Sequence, residues 1–169
     1  MTSEPDAVDR IVAQWRREVP ELDLRPMELF GRVYRVSELT GARLQKIYMR
    51  HGIGRAEFDV LASLRRSGEP FTLSPKQIGS TLMLTSGGLT CRLDKLERAG
   101  LVERLPDPTD RRGVRVRLTK DGRKAVEAAV VAGLDAQDEI LTALSPAERA
   151  TLNRLLRKLH AAYADDELG

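Results

Sequence analysis

"LTSGGLTCRLDKLERAGLVERLPDPTDRRGVRVRLTKDGR", Leu84 to Arg123, passes from a helical period to a strand period and back to a helical start within one short segment. Its first part is a helix. Thr85 or Ser86 caps it, Leu89, Leu93 and Leu96 recur on one face, and Gly100 ends it. "LVERL" then alternates apolar and polar residues, as a half-buried strand does. In "DPTDRRGVRVRLT", Pro108 fixes one φ, the aspartates bend or cap, and Gly113 is read as supplying an unusual φ. Val114, Val116 and Leu118 then fall on one side of a second strand, with Arg115 and Arg117 on the other. Two strands joined by such a turn make a β-hairpin.

That hairpin is basic. From Arg104 to Lys124 eight bases (Arg104, Arg111, Arg112, Arg115, Arg117, Lys120, Arg123, Lys124) stand against three acids, Asp107, Asp110 and Asp121. The whole chain carries a net charge of only +3, so the positive charge is concentrated locally. A clustered basic patch on a near-neutral body is the electrostatic footprint of a nucleic-acid partner.

Working outward, "LSPKQIGSTL" precedes the capped helix, with Ser74 as N-cap and Pro75 at the first helical position. Before it, "RAEFDVLASLRR" is helical and is ended by "SGEP". A longer helix runs from about Met27 to Met49, with Phe30, Val33, Tyr34, Ser37, Gly41, Leu44 and Tyr48 as its stripe. "RHGIG" stops it, with Gly52 and Gly54 as available caps. "PELDLRP" separates that helix from a short amphipathic one carrying Val8, Ile11, Val12, Trp15 and Val19. After Thr119 the chain is helical again. Val126, Val130, Gly133, Leu134, Gln137, Ile140 and Leu144 form one stripe. Ser145 and Glu148 make a capping box that starts a last helix striped by Leu152, Leu155, Leu156, Leu159 and Tyr163.

The length of 169 residues suits one domain. No apolar run is long enough for a membrane span, the acidic start lacks the order of a signal peptide, and one cysteine allows no intrachain disulfide. These features place the protein in the cytoplasm. No Ser-His-Asp set, phosphate loop or dinucleotide fingerprint is present, and His51 and His160 do not cluster with other ligands, so neither an enzyme nor a metal or cofactor site is expected.

Ser74 to Gly100 reads as helix, turn, helix. In such a unit the second helix enters the major groove with its N-terminal residues leading. Small and hydroxyl-bearing residues there let the backbone approach the duplex, and the helix N-terminus favours phosphate. The expected DNA contacts are Ser74, Lys76 and Gln77 on the first helix, Thr85, Ser86, Gly87, Gly88, Thr90 and Arg92 on the second, and Asp110, Arg111, Arg112 and Arg115 in the hairpin. Asp107 and Asp110 are expected to hold an arginine in one geometry by charge-assisted hydrogen bonds. A helix-turn-helix with a hairpin directly behind it is a winged helix-turn-helix, whose tip arginines suit the minor groove. Two rival functions are a helical protein-interaction module with a basic hairpin and a redox-sensing regulator acting through Cys91.

The segment resembles the MarR family of bacterial transcription regulators. The helix ending in "L-E-x-x-G-L-V", the wing "D-x-x-D-R-R" and the following "L-T-x-x-G" stand in order, within a resemblance that spans about Met27 to Tyr163. Thr109 replaces an arginine often found in the wing. The resemblance implies a mainly α fold: a winged helix-turn-helix core with a two-stranded β-wing, long terminal dimerisation helices and an extra N-terminal helix. Within a single domain over 1–169, it assigns 1–25 to the extra helix, 26–54 and 120–169 to dimerisation and 55–119 to DNA. The implied function is a homodimeric regulator, in the family's commonest mode a repressor, on a pseudo-palindromic operator.

A finer resemblance is to the branch that responds to urate or related small anions. The tryptophan of its extra helix, the aspartate before the helix-turn-helix, the arginine within the recognition helix and the arginine closing "G-L-[IV]-E-R" correspond to Trp15, Asp59, Arg92 and Arg104. An indole face suits a planar ligand and a guanidinium fork suits its oxygens. The resemblance implies an effector such as urate, a xanthine-type purine or a tricarboxylate. Its signal would reach the recognition helix through an Asp59–Arg92 pair.

Overall fold

The computed structural model describes residues 4–82, 86–108, 110 and 113–166. The chain forms two compact units, Met1–Arg55 and Ala56–Gly169. Among the described residues no helix is long and apolar enough to cross a membrane.

The first unit holds α1 (Ala7–Glu18) and α2 (Arg25–Arg50). Asp6 starts α1 by accepting from the backbone N–H groups of Val8 and Asp9, while Asp9 accepts from the Asp6 N–H; this is a reciprocal capping box. Val8, Val12 and Leu24 form its apolar cluster. A Cβ on Gly31 would lie 2.9 Å from Val8 Cγ1, so glycine lets α1 sit close on α2. Gly52, with φ +75°, ends α2. Only the C-terminal part of the predicted α2 stripe is buried, at Gly41, Leu44 and Tyr48. Tyr34 is 71% exposed, at a groove it lines with Val8 and Ile11 of α1.

In the second unit α3 (Arg55–Arg66), α4 (Pro75–Leu82) and α5 (Ser86–Arg98) precede a three-stranded antiparallel sheet of order β1-β3-β2, followed by α6 (Lys120–Leu141) and α7 (Pro146–Asp166). The strands are β1 (Thr72–Leu73), β2 (Val102–Pro106) and β3 (Val114–Leu118). The wing was expected to have two strands. The third, β1, pairs Thr72 with Arg117 and Leu73 with Val116, and at two residues it is too short to leave a periodic signal. Val60, Leu61, Leu64, Ile78, Leu96, Val116 and Val126 are the most deeply buried side chains. Each contributes roughly 1.5–3 kcal/mol by leaving water.

The "L-T-x-x-G" motif joins the sheet to α6. Thr119 caps α6 by accepting from the Gly122 N–H at 3.0 Å and donates its own hydroxyl to the Gly100 carbonyl at 2.8 Å. A side chain on Gly122 would collide with the Leu101 carbonyl. Gly100 itself has φ +68°. The end of α5 and the start of α6 are therefore fastened to each other.

Phe71, just before β1, has φ +56°, and the guanidinium groups of Arg65 and Arg123 lie 5.0 and 5.2 Å from its ring centre. Both arginines donate to the Glu127 carboxylate, at 2.6 and 2.9 Å. The side chains of the predicted α7 stripe, Leu152, Leu155, Leu156, Leu159 and Tyr163, are all exposed in the single chain.

Candidate nucleic-acid interface

The first helix of the pair is set by its cap. The Ser74 N–H donates to Gln77 Oε1 at 2.8 Å and the Gln77 N–H donates to Ser74 Oγ at 3.2 Å. Two expected DNA contacts are thus occupied locally in starting α4. The Gln77 side-chain NH2 is left over for a further bond. Lys76 is exposed, and Ile78 is fully buried and anchors the helix.

On α5 the leucine row behaves as predicted: Leu89, Leu93 and Leu96 are 4%, 2% and 1% exposed. Burial of that face turns Gly88, Thr90 and Cys91 outward, and Arg92 is half-buried. Ser86 and Gly87 form the first turn. Thr85 lies outside the described residues, as do Thr109, Arg111 and Arg112 at the wing tip.

The wing's two strands pair in the register Glu103↔Arg117 and Leu105↔Arg115. Arg115 Nε donates to Asp107 Oδ2 at 2.7 Å. Asp107 thus performs the holding role expected of it, on the second-strand arginine. Arg117 Nε donates to Glu103 at 2.7 Å across the sheet, which raises its pKa. The Asp107 N–H donates to the Gly113 carbonyl and the Gly113 N–H to the Asp110 carbonyl, closing the loop. Gly113 has no positive φ, contrary to the sequence reading. It is glycine because a Cβ would lie 2.8 Å from Asp107 Cβ and 3.1 Å from Asp110 Cβ. Val116 and Leu118 are buried as expected, but Val114, nearest the tip, is 40% exposed.

Arg104 shows what the sequence could not. Its guanidinium reaches from β2 to two acids on α5, donating to Asp94 Oδ1 and Glu97 Oε2, both at 2.5 Å. The Arg104 N–H also donates to Glu97 Oε1 at 3.2 Å. The Asp94 contact is the main cause that raises the Arg104 pKa. Glu57 on α3 and Lys95 on α5 form an ion pair at 2.8 Å, with Glu57 nearly buried. Asp59, expected to pair with Arg92, is half-buried on α3. Trp15 is 43% exposed on α1 in the first unit, whereas Asp59, Arg92 and Arg104 belong to the second. Asp94, Glu97, Glu57 and Lys95 were missed because charged residues on a helix read as ordinary solvated surface. Their only signal was the acid pair three apart on the face that meets the following strand.

Comparison with known proteins agrees with this geometry. The model of the MarR family matches residues 51–113. The HTH-type transcriptional regulator PecS of Dickeya dadantii is 40% identical over 152 residues, covering 90% of this chain and 92% of PecS. A mutant of E. coli MarR solved with operator DNA superposes with a TM-score of 0.68 at 32% identity, over 86% of this chain and 96% of that one. Bordetella bronchiseptica BpsR, whose DNA binding is regulated by 6-hydroxynicotinic acid, superposes with a TM-score of 0.60 at 28% identity, over 76% and 98%. These relatives are regulators and not enzymes. With its winged helix-turn-helix and its near full-length likeness to PecS, the chain belongs to the MarR family of transcription regulators.

Proposed function

We propose that the chain is a ligand-responsive repressor that binds a pseudo-palindromic duplex operator as a homodimer and releases it on binding a small flat anion. The observation that carries the DNA reading is the outward row Gly88, Thr90 on a buried-backed α5, beside a wing whose Arg115 is fixed by Asp107. Residues 55–119 contact DNA. Ser86, Gly87 and Gly88 approach the backbone, Thr90 and Arg92 face the groove, and Lys76, Arg111, Arg112 and Arg115 neutralise phosphate or enter the minor groove. The DNA complex of E. coli MarR supports this reading.

Residues 26–54 and 120–169 form the dimer. The support is the exposed leucine row of α7, apolar area of the kind that a second copy covers. Two-fold symmetry then sets the operator's half-site spacing at about one helical turn.

Trp15, Asp59, Arg92 and Arg104 serve the effector response. An anion drawn to Arg104 competes with Asp94 and Glu97 and loosens β2 from the recognition helix. Such an effector acts only by binding the DNA-incompetent form more tightly. Urate, a xanthine-type purine or a tricarboxylate fits the two arginines. The aromatic carboxylate that regulates BpsR has the same chemistry.

The test is binding of the full chain to its own upstream intergenic DNA across a salt series, with and without urate. Affinity should fall log-linearly with salt, and urate should weaken it. Binding indifferent to the duplex would favour a protein-interaction module.

A further inference from the structure

One arginine fastens the N-terminal helix to its neighbour. Arg32 on α2 donates from Nε to Asp6 at 2.9 Å, from Nη2 to Asp9 at 2.5 Å and from Nη1 to Glu28 at 3.0 Å. Asp6 and Asp9 are the two capping-box residues, so the groups that start α1 are the same groups that dock it. We propose that Arg32 is the positioning residue for Trp15. Its consequence for regulation rests on the effector role proposed for Trp15.

The energetics favour one decisive side chain. At 12 residues, α1 is near the length below which an isolated helix is marginal in water, so it depends on docking. Its apolar anchorage is small, limited to Val8 and Val12 with Leu24. Trp15 lies seven residues, two helical turns, beyond Val8, so its placement follows from how α1 is seated. Without Arg32, three carboxylates would face one another with no shared counter-ion. Lysine cannot replace it, because an ammonium lacks the planar fork that serves several acceptors at once. The four side chains are between 37% and 47% exposed, so added salt weakens the clamp.

Trp15 is the only tryptophan, and its emission reports its surroundings directly. The experiment compares the full-length wild type with Arg32→Ala and with the double variant Asp6→Asn/Asp9→Asn, which keeps a good N-cap residue at position 6 but removes both charges. Hydrogen exchange and Trp15 emission are read first, then binding to the upstream DNA with and without urate as the probe. In both variants the α1 amides should exchange about tenfold faster or more, and Trp15 emission should shift to the red. DNA affinity without urate should stay within about twofold, while release by urate is lost. Unchanged α1 protection and emission in both variants would overturn the proposal, and this arm needs no effector. Release of α1 with an intact urate response would also overturn it. Trp15→Ala then locates the fault. If Trp15→Ala loses the response, Arg32 is not what positions Trp15. If it keeps the response, the effector role of Trp15 has failed.

Discussion

Arg104 Nη2 donates to Asp94 Oδ1 at 2.5 Å, tying strand β2 to the helix before it. Glu97 takes the other half of the same guanidinium. Arg104→Ala should leave two acids facing an empty corner and let α5 tilt against the sheet. Operator affinity should fall about tenfold, or about 1.4 kcal/mol. A double-mutant cycle with Glu97→Gln should show a coupling of about 0.5–3 kcal/mol, measured by chemical denaturation. Additive effects would show that the pair holds nothing.

Wing charge gives a second outcome. Arg115→Ala should weaken operator binding and reduce the slope of log affinity against log salt by about one. Asp107→Asn releases Arg115 without removing it. Non-specific DNA binding should then rise while discrimination between operator and random duplex falls, as read by competition titration. Arg112→Ala at the tip should cost about 1–3 kcal/mol in operator binding.

Gly122 allows a stability prediction. Its absent side chain makes room for the Leu101 carbonyl. Gly122→Ala should destabilise the fold by about 1–3 kcal/mol, the usual cost of overpacking, despite the better helix propensity of alanine. A thermal melt at or above the wild-type Tm would contradict this.

Acid sensitivity follows from Glu127. Arg123 and then Arg65 hold its carboxyl below the ordinary value of 4.5. A depressed folded pKa contributes stability that is complete above the unfolded value and lost as pH falls through the folded one. Wild type should therefore be more stable than Glu127→Gln above about pH 4.5. The difference should shrink steadily as the solution is made more acidic, in melts taken at matched ionic strength.

The proposed homodimer makes the exposed α7 leucines a test of assembly. Leu155→Glu with Leu159→Glu should shift the chain to monomer in sedimentation and remove most operator affinity. Both side chains are exposed in the single chain, so the monomer should keep its helical signal.

How much could be seen beforehand depended on distance along the chain. The Ser74 cap, the Ser145–Glu148 box and the Leu89, Leu93, Leu96 row are local, and each appears as read. Arg104 was singled out through a family resemblance, but its partners Asp94 and Glu97 lie across a chain reversal that no periodicity reports. Gly113 looked like a φ requirement and is a contact requirement, because two aspartate side chains converge on it. Glu57 and Lys95 went unread because two residues on neighbouring helices cannot be matched in rotation from spacing alone.

The joint at Thr119 has a geometric consequence. Because Gly122 touches the Leu101 backbone and Thr119 holds Gly100, the heading of α6 is dictated by the ladder that ends at Val102 and Leu118. One residue inserted between Thr119 and Gly122 would turn everything beyond it by about 100°. The hairpin therefore acts as the compass for the long helix, and its register settles where the rest of the chain points.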